Sequence, residues 1–340
     1  MRCGPRLFHL LLILLLASFV PPAGAQVAAD PALFEGFRAA DMRLAEAGFR
    51  LSTANAAMCD RQEPGHGIQV HTLDQYAPAL RPAVAAHFRF AGALAVEGVV
   101  AGSPAARAGV RPDDTIVRFG AIAVSPQRDG PPSTERLVAF WSAVAALPPT
   151  APIRVDLLRD GAPVTVTIQP VAACRTRYEL AITSALEASA NGEMVRISSG
   201  YFDRFEGELA AVVIAHELAH NILRHFERLK AAGAEFGFLS GFGRNADLFR
   251  QTELQADILA VHLLAQADYP ANLASRFRQH PTAKALSGAF QARSHPHWRD
   301  RLRVALAEEA RIAADGPGAP FVAERDTPLT GDWRPLVPKR

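Results

Sequence analysis

The sequence predicts an α+β chain in which a mainly helical domain is interrupted by a smaller, β-rich one. Three observations predict it. Apolar residues recur at helical spacing shortly after a leader and again after Cys174. Between Gly65 and Val171 the texture changes to short alternating runs broken by glycine, proline and an Asp-Gly pair. Cys59 and Cys174, the two cysteines downstream of the leader, flank that stretch on its two sides.

The leader is "MRCGPRLFHLLLILLLASFVPPAGA". Arg2 and Arg6 precede an apolar run from Leu10 to Val20, and Ala23-Gly24-Ala25 offers a small-residue cleavage site, so residues 1–25 read as a signal peptide. The run falls short of the ~20 apolar residues a transmembrane helix needs, and no later stretch approaches that length. The mature chain is therefore expected to be exported, periplasmic or secreted, with no transmembrane segment. An uncleaved anchor, which would leave it membrane-associated, is the alternative. No cysteine follows the run at the cleavage point, which argues against lipid attachment. Cys3 departs with the leader, and in an oxidising compartment Cys59 and Cys174 are expected to form one disulfide, two free thiols being the alternative. With 36 basic and 34 acidic residues interspersed, nothing points to a nucleic-acid or anionic-membrane partner.

Residues 26–60 carry the first helix, Pro31 to about Asn55, with Leu33, Phe37, Leu44 and Leu51 at helical spacing. From Gly65, "GHGIQVHTL" alternates as a strand, and "GALAVEGVVAGSPAARAGVRPDDTIVRFGAIAV" follows a short helical segment. "STERLVAFWSAVAALP" is helical, and "APIRVDLLRDGAPVTVTIQPV" is two strands joined at an Asp160-Gly161 hairpin turn. Over residues 65–171 this series resembles a PDZ domain of the kind found in bacterial envelope proteases. Ser103-Pro104-Ala105-Ala106, Ala108-Gly109-Val110 and Asp113-Asp114-Thr115-Ile116 carry the likeness, with Asp113 where the family usually has glycine. The resemblance implies a groove between the strand Gly67 to Leu73 and the helix Thr134 to Leu147, taking an extended or C-terminal peptide by strand addition. Regulation, substrate delivery and docking to another envelope protein all fit such a groove. The flanking cysteines suggest an insertion whose crossing chains are stapled at its base.

Residues 174–312 form the rest of the helical domain. Helical texture is expected in "RYELAITSALEASA", then a strand in "GEMVRISSGYFD", then the helix "AVVIAHELAHNILRHF". Residues four apart share a helical face, so His216 and His220 project side by side with Glu217 on the rim. Two imidazoles so spaced can take two corners of a tetrahedral zinc site while the glutamate reaches water. The plainer reading, satisfied core histidines, must explain how three polar groups are buried amid Val212, Val213, Ile214 and Leu218. In "QTELQADILAVHLLAQADYP", Glu253 and Asp257 again lie four apart. Glu253 can supply a third, carboxylate ligand, and Asp257 can hold the ring of a ligating histidine. Solvated acids on an amphipathic helix are the alternative. His225 falls off the ligand face and reads as surface or structural.

These residues resemble the gluzincin metallopeptidases that include the CaaX prenyl proteases, HtpX and the periplasmic BepA, which share HExxH followed by ExxxD. His216, Glu217, His220, Glu253 and Asp257 match that pattern, and His295, Pro296 and Arg301 match a later His-Pro with a downstream arginine. The likeness runs from about Arg175 to Leu306. It implies a mainly helical zincin (gluzincin) metalloprotease domain with an inserted β-rich PDZ domain, and one Zn2+ per chain on His216, His220 and Glu253. Glu217 would be the general base. His295 and Arg301 would be candidates for the oxyanion, a structural ion pair or helix cap being their other reading. Unfolded or extended polypeptide substrates would lie along Met194, Val195, Arg196, Ile197 and Ser198 as an added strand. Without transmembrane helices a prenylated substrate is not implied. The expected function is a zinc metalloendopeptidase of the cell envelope. The alternatives are a PDZ-based binding or chaperone-like protein with a vestigial metal site, and a purely structural zinc. "AAGAEFGFLSGFGRNADLF" could be a lid, a membrane contact or packing between helices. Residues 313–340 read as an extended tail.

Overall fold

The computed structural model describes residues 30–236, 242–286 and 295–339. The leader expected over residues 1–25 and the middle of the Gly/Phe-rich segment, 237–241, lie outside them. The fold is mixed α+β. In chain order it begins with α1 (Pro31–Ala54), β1 (Gln62–Gly65), β2 (Ile68–Thr72), α2 (Arg81–His87), β3 (Leu94–Val99), α3 (Pro104–Arg107) and β4 (Thr115–Phe119). It continues with β5 (Ile122–Ala123), α4 (Glu135–Val144), β6 (Ile153–Arg159), β7 (Ala162–Ile168), β8 (Val171–Cys174), β9 (Arg177–Ala181), β10 (Ala188–Ala190) and β11 (Met194–Ser198). The helices α5 (Ser199–Arg204), α6 (Ala210–Ile222), α7 (His225–Ala231), α8 (Gly243–Gln266), α9 (Leu273–Gln279), α10 (Pro281–Ala285) and α11 (Trp298–Asp315) complete it.

One sheet runs β2-β3-β4-β6-β7, with β5 paired to β4, and wraps its own core of Val70, Leu94, Ile116, Phe119, Val155 and Leu157 beneath Phe140 of α4. The β6–β7 hairpin turns at Asp160 and Gly161, both at positive φ (50° and 80°), the mirror-image turn that matches strand twist. Where the chain enters and leaves this sheet, β1 and β8 pair antiparallel with Gln62 opposite Cys174. Cys59 and Cys174 form the expected disulfide there, Cα to Cα 5.4 Å.

The larger core is helical and gathers Leu44 and Leu51 of α1, Val195 and Ile197 of β11, Ile214 and Leu218 of α6, and Leu259 and Leu263 of α8. Asp30 caps α1 by accepting from Ala32 N at 2.9 Å. α1 also reaches the sheet. Met42 sits over Gly98, where a Cβ would stand 2.2 Å from Met42 Sδ, so a larger residue there would push the Met42 side chain aside. Arg38 pairs with Asp113, which holds the left-handed conformation (φ 69°) that glycine adopts at least cost. Asp113 at this turn thus supplies an ion pair to α1.

One expectation needs correction. "RYELAITSALEASA" is not helical: β9 runs parallel to β11, and β10 runs antiparallel along its other edge. Tyr178 of β9 lies against Gly48, and its hydroxyl meets Ser52 Oγ at 2.7 Å, pinning the segment to α1 as a strand. The tail is extended but docked: Gln251 Oε1 accepts from Thr330 N and Gly331 N at 3.1 and 2.8 Å, and Trp333 Nε1 donates to Asp247 Oδ1 at 2.9 Å. Among the described residues no helix is long and apolar enough to cross a membrane.

Candidate metal centre

α6 and α8 pack side by side, and each contributes through its i, i+4 face. His216 and His220 bring their Nε2 atoms to 3.1 Å of each other. Glu253 of α8 completes the group, with Oε2 3.4 Å from His216 Nε2 and Oε1 3.5 Å from His220 Nε2. One ligand atom from each of these residues lies within 4.8 Å of the others. Two imidazole nitrogens and one carboxylate converging in this way form a donor set that could hold a metal ion. Glu217 is buried beside them, and burial raises its carboxyl against the pull of His216 and His220. Burial alone would lower His216, but Asp257 and Glu253 outweigh it and hold the ring's pKa up to about 9, so a metal entering here displaces a proton.

Behind the ligands, His216 Nδ1 stands 3.0 Å from Asp257 Oδ1. Arg301 makes a two-pronged pair with Asp257, Nε to Oδ2 at 2.6 Å and Nη2 to Oδ1 at 2.7 Å. Arg278 Nη2 adds a third donor to Oδ1 at 2.6 Å. Burial would raise Asp257, yet the charges of Arg278 and Arg301 hold it far below the usual carboxylate range. Arg301 is thus turned mainly toward Asp257, with Nη2 also 3.4 Å from Glu253 Oε2. His295 stands at the mouth, Nε2 3.6 Å from Glu253 Oε2, with 40% of its side chain exposed.

Of the two readings of His225, surface or structural, the second holds: it is 1% exposed, and its Nδ1 lies 3.0 Å from His220 Nδ1. Helical spacing pointed it away, but Arg224 adopts a left-handed conformation (φ 53°) that breaks the chain between α6 and α7 and swings the ring back. Its Nε2 meets Gln255 Oε1 at 3.1 Å, an oxygen that also accepts from Arg228 Nη1 at 3.4 Å. Arg228 Nε donates to Thr327 O at 3.0 Å, linking the docked tail to the metal centre. His225, Gln255, Arg278 and Tyr201, whose hydroxyl burial pushes up to about 12, were not identified from sequence. No local pattern marks them, because long-range packing brings each one in.

A cavity of about 440 Å³ opens over the ligands, between Tyr201, Phe277 and Leu286 on one flank and Phe226, Leu229 and Phe249 on the other. Its rim is Leu186–Ala190, which includes β10. This corrects the expected substrate strand. Met194, Val195, Arg196, Ile197 and Ser198 form β11, the middle strand, with β9 and β10 on its two edges and Val195 and Ile197 fully buried. A peptide has no edge to join there. In the β10–β11 ladder, bonds fall on the Glu187–Ser198 and Asn191–Met194 pairs. By alternation Ala188 and Ala190 turn their N–H and C=O groups outward, and no described strand pairs beyond them.

At the other expected groove, β2 is an edge strand and α4 packs beside it. Its first amide, Ile68 N, donates to His66 Nδ1 at 3.0 Å, and the His66 ring stacks on Trp141 of α4 with centroids 5.5 Å apart.

No family model and no curated protein matches this chain. Among solved structures it is similar to one described as "HtrA-type protease AlgW with decapeptide", at 27% identity and a TM-score of 0.25, covering 33% of this chain and 30% of that one. This chain therefore spans under a third of that protein's length, and the likeness is too partial to carry an argument.

Proposed function

We propose that the chain is a zinc-dependent endopeptidase of the cell envelope, its protease domain formed by residues 26–60 and 174–312 and interrupted by a PDZ domain over residues 65–171. The observation that carries this reading is the convergence of His216, His220 and Glu253 on one point, with Glu217 buried beside them. Zinc held there supplies a Lewis acid that polarises a peptide carbonyl and acidifies water. Glu217 takes the water's proton and returns it to the leaving amine, and its burial raises the carboxyl, in the direction a general base needs. Asp257, fixed by Arg301, sets the orientation of His216. His295, nearer the mouth than Arg301, is the better placed of the two to meet a developing oxyanion.

Substrate docks as an added strand on Ala188 and Ala190, which bind an extended backbone largely without regard to its sequence. The Cys59–Cys174 disulfide supports an oxidising, exported setting. Purified wild type is expected to hold one zinc per chain. Glu217→Gln should keep that zinc while its cleavage of an unfolded protein falls by about 100- to 10,000-fold. A wild type without stoichiometric zinc, or a Glu217→Gln that cleaves as fast as wild type, overturns the reading.

A further inference from the structure

Asp257 has more cationic partners than its two oxygens require. Arg301 occupies both oxygens, and His216 stands 3.0 Å from one of them. Arg278, from the last turn of α9, nevertheless adds a second guanidinium at 2.6 Å. Its side chain is 14% exposed, and it lines the cavity that holds His216, Glu217 and His220. It lies over the Phe277 ring at 5.3 Å and spends only Nη2 on Asp257. Among the described residues nothing accepts from its Nε or Nη1, and neither is a buried unpartnered atom, so both reach solvent on a residue that lines the cavity. If Arg278 served only to orient Asp257, it would duplicate the two-pronged Arg301 pair.

The charges agree. With zinc in place, its double charge is met by Glu253 and Glu217, while Asp257 can balance only one of the two arginines. The Arg278 flank keeps one positive charge over, beside the apolar Tyr201 and Phe277. A guanidinium with two donors unspent in such a wall can pair with a carboxylate by charge and by hydrogen bonds.

We propose that Arg278 binds a substrate carboxylate, so that the cleft prefers peptides carrying an acidic side chain or a free C-terminus close to the bond to be cut. This rests on reading the cleft as a peptide site. It gives the site a substrate class that docking on β10 alone would not. Arg278 acts as a specificity residue, and Asp257 holds it in place.

The test uses the full mature chain carrying Glu217→Gln, loaded with zinc, so that bound peptides stay intact. Four fluorescent octapeptides of otherwise identical sequence carry a central Glu or Gln and a free or amidated C-terminus, and binding is read by anisotropy. At least one acid arm should bind about tenfold tighter than its amide counterpart, and the arm that does so identifies the carboxylate as side chain or terminus. Adding Arg278→Gln should bring that ratio close to one, whereas Arg278→Lys should retain part of it. Equal binding of all four peptides overturns the proposal, as does a ratio that survives Arg278→Gln. If Arg278→Gln does not fold, the ratios on the parent protein and on Arg278→Lys still decide. A wild type that holds no zinc defeats the peptidase reading alone, because the acid-to-amide ratio can be measured on metal-free protein.

Discussion

Replacing His225 tests the link between the metal centre and the rest of the fold. For His220 to offer Nε2 to a metal, its Nδ1 must carry the proton and give it to an acceptor, and the group 3.0 Å away is His225 Nδ1. His225 must then carry its own proton on Nε2 and donate it to Gln255 Oε1 at 3.1 Å. Burial, with the charges of His220 and Arg228, holds its pKa well below the ordinary histidine value, so the ring stays neutral and Nδ1 stays an acceptor. His225→Leu fills the space but leaves the His220 N–H buried without a partner, which costs about 1–3 kcal/mol. That range corresponds to a loss of zinc affinity of about 5- to 150-fold, which brackets the usual penalty for removing a partner that orients a ligand. His225→Asn places an amide oxygen near the position of Nδ1 and should recover most of the loss. Zinc affinity is measured by competition with a chelator, and the visible spectrum of the Co2+-substituted protein reports the ligand geometry. Leu and Asn variants both within about twofold of wild type would refute the tautomer assignment. If both lost affinity equally, the ring would matter as filling and not as an acceptor.

Two further outcomes follow from the base of the sheet and from α1. Cys59 and Cys174 are separated by 115 positions, so closing that loop is worth about 4–5 kcal/mol of chain entropy. The double serine variant should unfold at clearly lower denaturant under oxidising conditions, and an unchanged midpoint would show that the β1–β8 ladder alone holds the crossing chains. Asp41 of α1 faces Glu97 of β3, with Arg38, Gln69 and Tyr76 around them. Burial, against its hydrogen bond with Glu97, raises Asp41 to about 6, and burial with the Asp41 charge raises Glu97 as well. The folded state therefore holds extra protons between about pH 4 and 6, and this pair's contribution to stability improves as pH falls through that window and is worst above it. Asp41→Asn should raise the melting temperature more at pH 8 than at pH 4.5, and a pH-independent effect would rule the pair out.

The helix faces were legible because a metal site built on helices repeats every four residues. His216 with His220, and Glu253 with Asp257, each obey that spacing on one helix, and the structure brings the two pairs face to face. The hairpin at Asp160-Gly161 was legible for the same local reason, two residues that tolerate positive φ between alternating runs.

The rest depended on partners distant in the chain. A middle strand and an edge strand share the same alternation, so nothing within Met194–Ser198 tells which edge stays open. That is decided by β9 pairing along one side and by three residues, Ala188–Ala190, pairing along the other, a stretch too short to show a period. Leu180, Leu186 and the alanines between and after them fit a helix as well as a strand. The contact of Tyr178 with Gly48, 130 positions earlier in the chain, settles the matter in favour of the strand. His225 shows the same limit in reverse. A helical wheel placed it off the site, and one left-handed residue, Arg224, put it behind His220. The ligands of such a centre can be read from periodicity because they must share a rigid helix. The groups that orient them, and the edge that receives the substrate, arrive from separate segments, so only the assembled fold reveals them.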